Sequence, residues 1–246
     1  MKICFRAWAM CQSMFCAIPF PGNIWDEKAK DKMLLFLPIV GLEIGLLWAG
    51  LAWLCGALAL PAAVKGLVLA VYPYLATGFI HLDGYMDVTD AVRSWRSLER
   101  RREILKDSRV GAFAVIGIVL LILSQYAFLT AAKETASPGV LVLIPAVSRC
   151  CSALAVTGLK PMETSQYANQ KKNKGHMALL WVMLVLFVAA GFLLFGRYGL
   201  TLLGCLAGCG YGLWRAYRSL EGMNGDISGY ALSIGEVCAA AVYALL

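Results

Sequence analysis

Long apolar runs constrain this chain more than any other feature. Residues 34–58, 62–80, 111–132, 139–159, 177–196, 199–214 and 229–246 each form a nearly unbroken apolar stretch, the last two short and Gly-rich. A helix rises about 1.5 Å per residue, so about 17–25 residues carry it across roughly 30 Å of hydrocarbon. Lipid offers no water to backbone amides and carbonyls, so each span must satisfy its own; helices do so within one segment. A barrel would show strict alternation, which is absent here. Hydrophobic residues make up 60% of the sequence and charged residues 15%, against about a quarter charged in soluble domains. The expectation is an all-α, polytopic integral membrane helix bundle of about seven transmembrane helices. No repeat or compositional break divides it, so 1–246 reads as a single membrane-embedded domain.

Before the first run, Lys2 and Arg6 precede an apolar stretch, as in a signal peptide, but Gln12 and Ser13 interrupt it and no small-x-small site follows. Lys2, Arg6 and Ser13 fall near one helical face. The stretch therefore reads as an interfacial helix ending before Pro19 and Pro21, within an N-terminal segment 1–33.

Basic residues orient the bundle. With a cytoplasmic N-terminus and seven alternating spans, eighteen basic residues fall inside; Lys65, Lys133 and Arg197 fall outside, with Arg149 in a span. The positive-inside rule favours that arrangement and an inner-membrane location. It also accounts for the net charge of +7 without nucleic acid, because no basic and aromatic face of the single-strand-binding kind is present. Nine cysteines form no CxxC pair and mostly sit in apolar runs, where they read as small hydrophobes in a reduced compartment.

The acids gather on the same side, in a segment 81–110 that reads as the cytoplasmic catalytic part. Asp83, Asp87 and Asp90, spaced four and three, project within about 60° on a helix. Like charges stacked this way repel. A divalent cation relieves the conflict, and magnesium suits carboxylate oxygens while bridging to phosphates. The alternatives are a solvated acidic face, or a zinc site with His81, which lacks the usual nitrogen and sulfur partners. His81 otherwise reads as a donor behind the metal, a substrate contact or a polar residue at the interface. Downstream, Lys106 and Arg109 could hold phosphates and Asp107 could add a ligand; the alternative is a salt-bridged flank. Carboxylates with a flanking cationic set supply what metal-dependent phosphoryl transfer needs. Within the spans, Glu43, Arg149 and Glu236 are costly in lipid and are candidate substrate contacts, or pair with one another or lie near a headgroup zone.

Asp83-Gly84 opening an acidic run resembles the CDP-alcohol phosphotransferases, although Asp87-Val88 stands where their Ala-Arg is expected. The chain more closely resembles the cobalamin synthase family. Gly78 to Ala91 is similar to its G-x-H-x-D-G-x-x-D-x-x-D-A/G stretch, and Lys106 to Gly111 to its K-D-S-R-x-G stretch. Phe36 to Gly41, Pro145 with Arg149, and Gly225-Asp226-Ile227-Ser228-Gly229 followed by Glu236 match further segments. Cys16-Ala17-Ile18-Pro19 departs from the T-R-I-P common there. The resemblance implies transfer of adenosylcobinamide phosphate from adenosylcobinamide-GDP to the ribose hydroxyl of α-ribazole or its 5′-phosphate. The products are adenosylcobalamin, or its 5′-phosphate, and GMP, with Mg2+ required. On this reading Asp83, Asp87 and Asp90 hold magnesium, Asp107 and Asp226 are further ligands or bases, and Lys106 and Arg109 hold the pyrophosphate. It leaves room for association with other enzymes of that pathway. The rival from another class is a cation-coupled transporter, whose charges would lie nearer the midplane within detectable repeats.

Overall fold

The computed structural model describes residues 2–18, 25–167 and 173–246. Pro19 and Pro21, expected to stop the first helix, and Lys171 and Lys172 of the basic flank lie outside the described residues. The chain folds as α1 (Lys2–Phe15), α2 (Glu27–Met33), α3 (Leu37–Ala57), α4 (Ala62–Ala76), α5 (Ile80–Arg93) and α6 (Leu98–Ile104). It continues as α7 (Ala112–Ala131), α8 (Leu143–Gly158), α9 (Lys174–Phe195), α10 (Leu200–Leu220) and α11 (Gly225–Leu245). No strand occurs among the described residues; the backbones of Lys160, Met162 and Met223 pair in a short bridge.

Among the described residues, five helical stretches are long and apolar enough to cross a membrane: 27–57, 112–131, 138–158, 174–220 and 225–245. The 47-residue stretch is α9 and α10, divided by the 3-10 turn Gly196–Gly199. Among the described residues the protein is thus all-α, with apolar helices of a multi-pass membrane protein.

The second expected span, 62–80, needs correction. Its helix stops at Ala76, and α4 and α5 meet at 90°. Gly78 (φ +57°) and Phe79 (φ +64°) are both left-handed at the break, a conformation glycine accepts and phenylalanine adopts at a cost. α5 then runs antiparallel beside α7 instead of lying beyond its end. Leu82 packs with Leu121, the Tyr85 hydroxyl donates to the Gly117 carbonyl at 3.3 Å, and Asp90 reaches Gly111. The acidic motif therefore lies alongside an apolar helix.

The two bundle ends differ. Lys133 Nζ donates to the Leu246 carbonyl, and the Tyr198 hydroxyl to that of Thr135, at the end with few charges. At the other end lie α1, α2, α6 and the 159–167 loop, with most basic residues. α1 buries Ala7, Ala9, Met10 and Cys11 against the bundle and leaves Lys2, Arg6 and Ser13 exposed, as its pattern predicts. The Gly-rich last spans pack closely: a Cβ at Gly208 on α10 would come within 2.8 Å of Cys238 and 2.9 Å of the Gly235 Cα on α11. All nine cysteines are free thiols.

Candidate active site

α5 and α11 cross at two glycines, and that crossing builds the site. A Cβ on Gly84 would stand 2.8 Å from the Asp226 Cα, and one on Gly229 would stand 3.1 Å from the His81 carbonyl oxygen. Only hydrogen at both positions lets the start of α11 lie against the acidic face of α5. Asp226 arrives there from the far end of the chain. The charges of Asp83, Asp226 and Asp90 all bear on Asp87, and that of Asp83 on Asp226. Asn224 caps α11 by accepting from the Ile227 N–H at 3.0 Å, and its amide donates to Asp226 Oδ2 at 2.6 Å.

Asp90, the third of the expected trio, has backbone partners. Its carboxylate accepts the Gly111 N–H at 2.6 Å and the Ala114 N–H at 2.9 Å. Both oxygens are taken by the opening turn of α7, whose unpaired amides and positive dipole end attract an anion. Asp90 thus stays on the same face of α5 as Asp83 and Asp87 and joins α5 to α7. Among the described residues no three His, Cys, Asp or Glu side chains form a group that could by itself hold a metal ion. Magnesium does not need one: it commonly takes one or two carboxylates, keeps waters and shares substrate phosphates. Asp83 and Asp87 offer oxygen donors on one face of α5, and among the described residues no cysteine or second imidazole stands with them, a donor type that suits magnesium and not zinc.

Clefts flank the carboxylates. One of about 550 Å³ is lined by Met14, Ala17, Gly78, Phe79 and Asp83. Another, of about 600 Å³, lies between Arg102, Lys106, Glu163 and Thr164 on one side and Asn224 and Asp226 on the other. The basic run beside it has separate structural work. Arg101 and Arg102 donate to the carbonyls of Ser219, Leu220 and Glu221, where α10 ends, and Arg100 pairs with Glu103 at 2.6 Å. Lys106 lines the cleft across from Asp226, and its Nζ has no hydrogen-bond or ion-pair partner among the described residues.

Asp107 and Arg109 are not brought to the aspartates. They pair with each other at 2.6 Å, with Arg109 exposed. The guanidinium, and the Arg109 backbone N–H after it, lower the Asp107 carboxyl to about 2. That group is a poor proton acceptor near neutrality. Glu43 accepts from the indole of Trp8 at 2.8 Å, tying α1 to α3. Arg149 and Glu236, 1% and 3% exposed, meet at 2.9 Å with Ser148 beside them, tying α8 to α11. The pairing alternative for these two intramembrane charges is what the structure has. His81 is buried beside the site, its ring stacked on Phe15. Residue types alone gave no signal for Asn224, Thr164, Ser152 or Ser228, which only tertiary contacts bring here.

Apolar helices around a carboxylate crossing, with a lysine across an adjoining cleft, define a multi-pass membrane protein with an acidic polar site. The chain belongs to the cobalamin-5-phosphate synthase family, whose sequence profile matches residues 7–244. It is 34% identical over 241 residues to the adenosylcobinamide-GDP ribazoletransferase of Clostridium perfringens (strain SM101), with 96% of each chain covered. It is 31% identical over 243 residues to the protein of the same name from Clostridium botulinum (strain Alaska E43), again with 96% of each chain covered. For that of Geobacillus thermodenitrificans the identity is 30% over 248 residues, covering 96% of this chain and 94% of the relative. No solved structure gives a significant match.

Proposed function

We propose that this chain is a magnesium-dependent adenosylcobinamide-GDP ribazoletransferase. It transfers adenosylcobinamide phosphate from adenosylcobinamide-GDP to the ribose hydroxyl of α-ribazole or α-ribazole 5′-phosphate, giving adenosylcobalamin or its 5′-phosphate and GMP. The carrying observation is kinship along nearly the whole chain with relatives of that name. The carboxylate crossing with Lys106 opposite suits the chemistry independently.

Asp83 and Asp87 would hold magnesium, which when bound would supply neutralising charge to the phosphoryl oxygens. Lys106, a point charge on the cleft wall, binds the pyrophosphate. The acceptor oxygen forms a bond to the cobinamide phosphorus, and the bond from that phosphorus to the GMP oxygen breaks. The hydroxyl proton passes to the Asp226 carboxylate, and GMP leaves with the bond electrons. Asp226, held by Asn224, suits that role better than Asp107, whose low proton affinity and Arg109 pairing unfit it. The apolar cleft walls at Met14, Ala17 and Phe79 suit a bulky amphipathic substrate.

In the membrane, the end bearing α1, α6 and the 159–167 loop faces the cytoplasm across the inner membrane, following the positive-inside distribution. The deciding assay gives purified protein adenosylcobinamide-GDP, α-ribazole and magnesium and follows GMP. Release that requires both acceptor and magnesium supports the proposal. Ion flux in proteoliposomes without turnover removes it in favour of a transporter.

A further inference from the structure

His81 is 8% exposed, and its Nε2 has no hydrogen-bond partner among the described residues. An unpartnered buried ring nitrogen costs stability and calls for a reason. The ring is held in place: Phe15 stacks on it at 6.4 Å between centroids and 9° between planes. It borders a narrow, partly open chamber of about 90 Å³, whose walls include Phe15, Ser152, Tyr167, Asp226 and Ser228. Ser152 and Ser228 hydrogen-bond to each other, and the close approach of Gly229 to the His81 backbone brings α11 to this wall. The chamber is too small for a nucleobase or a corrin. It admits a hydroxyl-bearing edge of a sugar, and its Asp226 wall belongs to the carboxylate crossing.

We propose that His81 seats the sugar of the acceptor nucleoside. Its Nε2, with the ring proton on Nδ1, accepts a hydrogen bond from the ribose hydroxyl adjacent to the attacking one. That places the attacking oxygen beside Asp226. The assignment rests on the phosphotransfer reading of the same site. The guanosine of the donor also carries a ribose diol. Its own phosphate separates that sugar from the reacting phosphorus, whereas the acceptor oxygen must come to the carboxylates themselves.

The test varies each substrate in turn on the purified full-length protein, using α-ribazole and its counterpart lacking the adjacent hydroxyl. Calorimetry measures the binding of each nucleoside alone. Wild type should favour α-ribazole in acceptor kcat/KM on the order of tenfold. His81→Ala should lose a similar factor with α-ribazole, lose little with the deoxy acceptor, and keep its KM for adenosylcobinamide-GDP. His81→Gln, which retains an acceptor oxygen, should recover part of the loss. Undiminished discrimination in His81→Ala, or an effect on the donor KM in place of the acceptor KM, overturns the assignment. If His81→Ala does not fold, equal use of the two acceptors by wild type, or equal discrimination in His81→Gln, overturns it. Absence of GMP from wild type removes the phosphotransfer reading instead; the calorimetric comparison then still decides whether His81 selects the hydroxyl.

Discussion

Under the proposed reaction, aspartates of one motif divide between chemistry and architecture, and substitution separates the two. Asp83→Asn or Asp87→Asn should cut GMP release on the order of 10³-fold while the protein inserts and melts as wild type does. Asp90→Ala should behave in the opposite way. It strips two backbone N–H groups at the start of α7 of their acceptor and should cost about 2 kcal/mol, read as a lower melting midpoint in detergent. Turnover per folded molecule should stay within several-fold of wild type. An Asp90→Ala protein that melts normally yet is inactive would return this residue to the metal set. Asp107 supplies a third contrast. Its carboxyl, lowered below the usual range to about 2 by Arg109, contributes pairing that is full above the unfolded value and lost only as pH falls through about 2. Between pH 5 and 9 it stays ionised, so the pH–rate profile of Asp107→Asn should keep the wild-type shape. A shifted limb in that window would place Asp107 in the reaction.

Helix contacts decide which charges meet. Gly84→Ala puts a methyl group against the Asp226 backbone, which cannot rotate away as a side chain would. It should move the start of α11 and lower kcat on the order of 10²-fold with the fold kept. Gly208→Val, at the α10–α11 seam away from the carboxylates, should instead act on stability, seen in the melting midpoint ahead of kcat. Periodicity and spacing made much of this scale legible. The apolar runs coincide with helices, α1 has the polar face its spacing implied, and the aspartates share one face of α5. The break at residues 77–79 was not legible, because Ile80 and Phe79 continue an apolar run and the left-handed turn depends on what α5 packs against. Asp226 entered only through its resemblance to a family segment, since no local pattern links it to α5. The pairing of Asp90 with α7 likewise depends on a loop closing between them, and the pairing of Arg149 with Glu236 on two helices meeting.

At the scale of the molecule, charge separates the two ends of the bundle, and the cysteines allow the orientation to be tested without altering the chain. Cys4 is the exposed thiol, near the start of α1; the other eight are buried or partly so. A membrane-impermeant maleimide should label inside-out vesicles at Cys4 and leave right-side-out vesicles unlabelled. The reverse result would invert the proposed topology. The composition that implied lipid and the basic residues that implied a side are properties summed over the whole chain, which is why they could be read before any contact was known.

The right-angle turn between α4 and α5 has a consequence for how a large amphiphile is handled. A straight second span would deliver its aspartates to open water beyond the hydrocarbon. The bend instead sets ionic groups level with the flank of α7, roofed by α1 and walled by Phe79. Under the proposed reaction, the polar tip of a bulky molecule can be worked on there while its greasy remainder stays against the bilayer, so the product need never be drawn fully into solution before release.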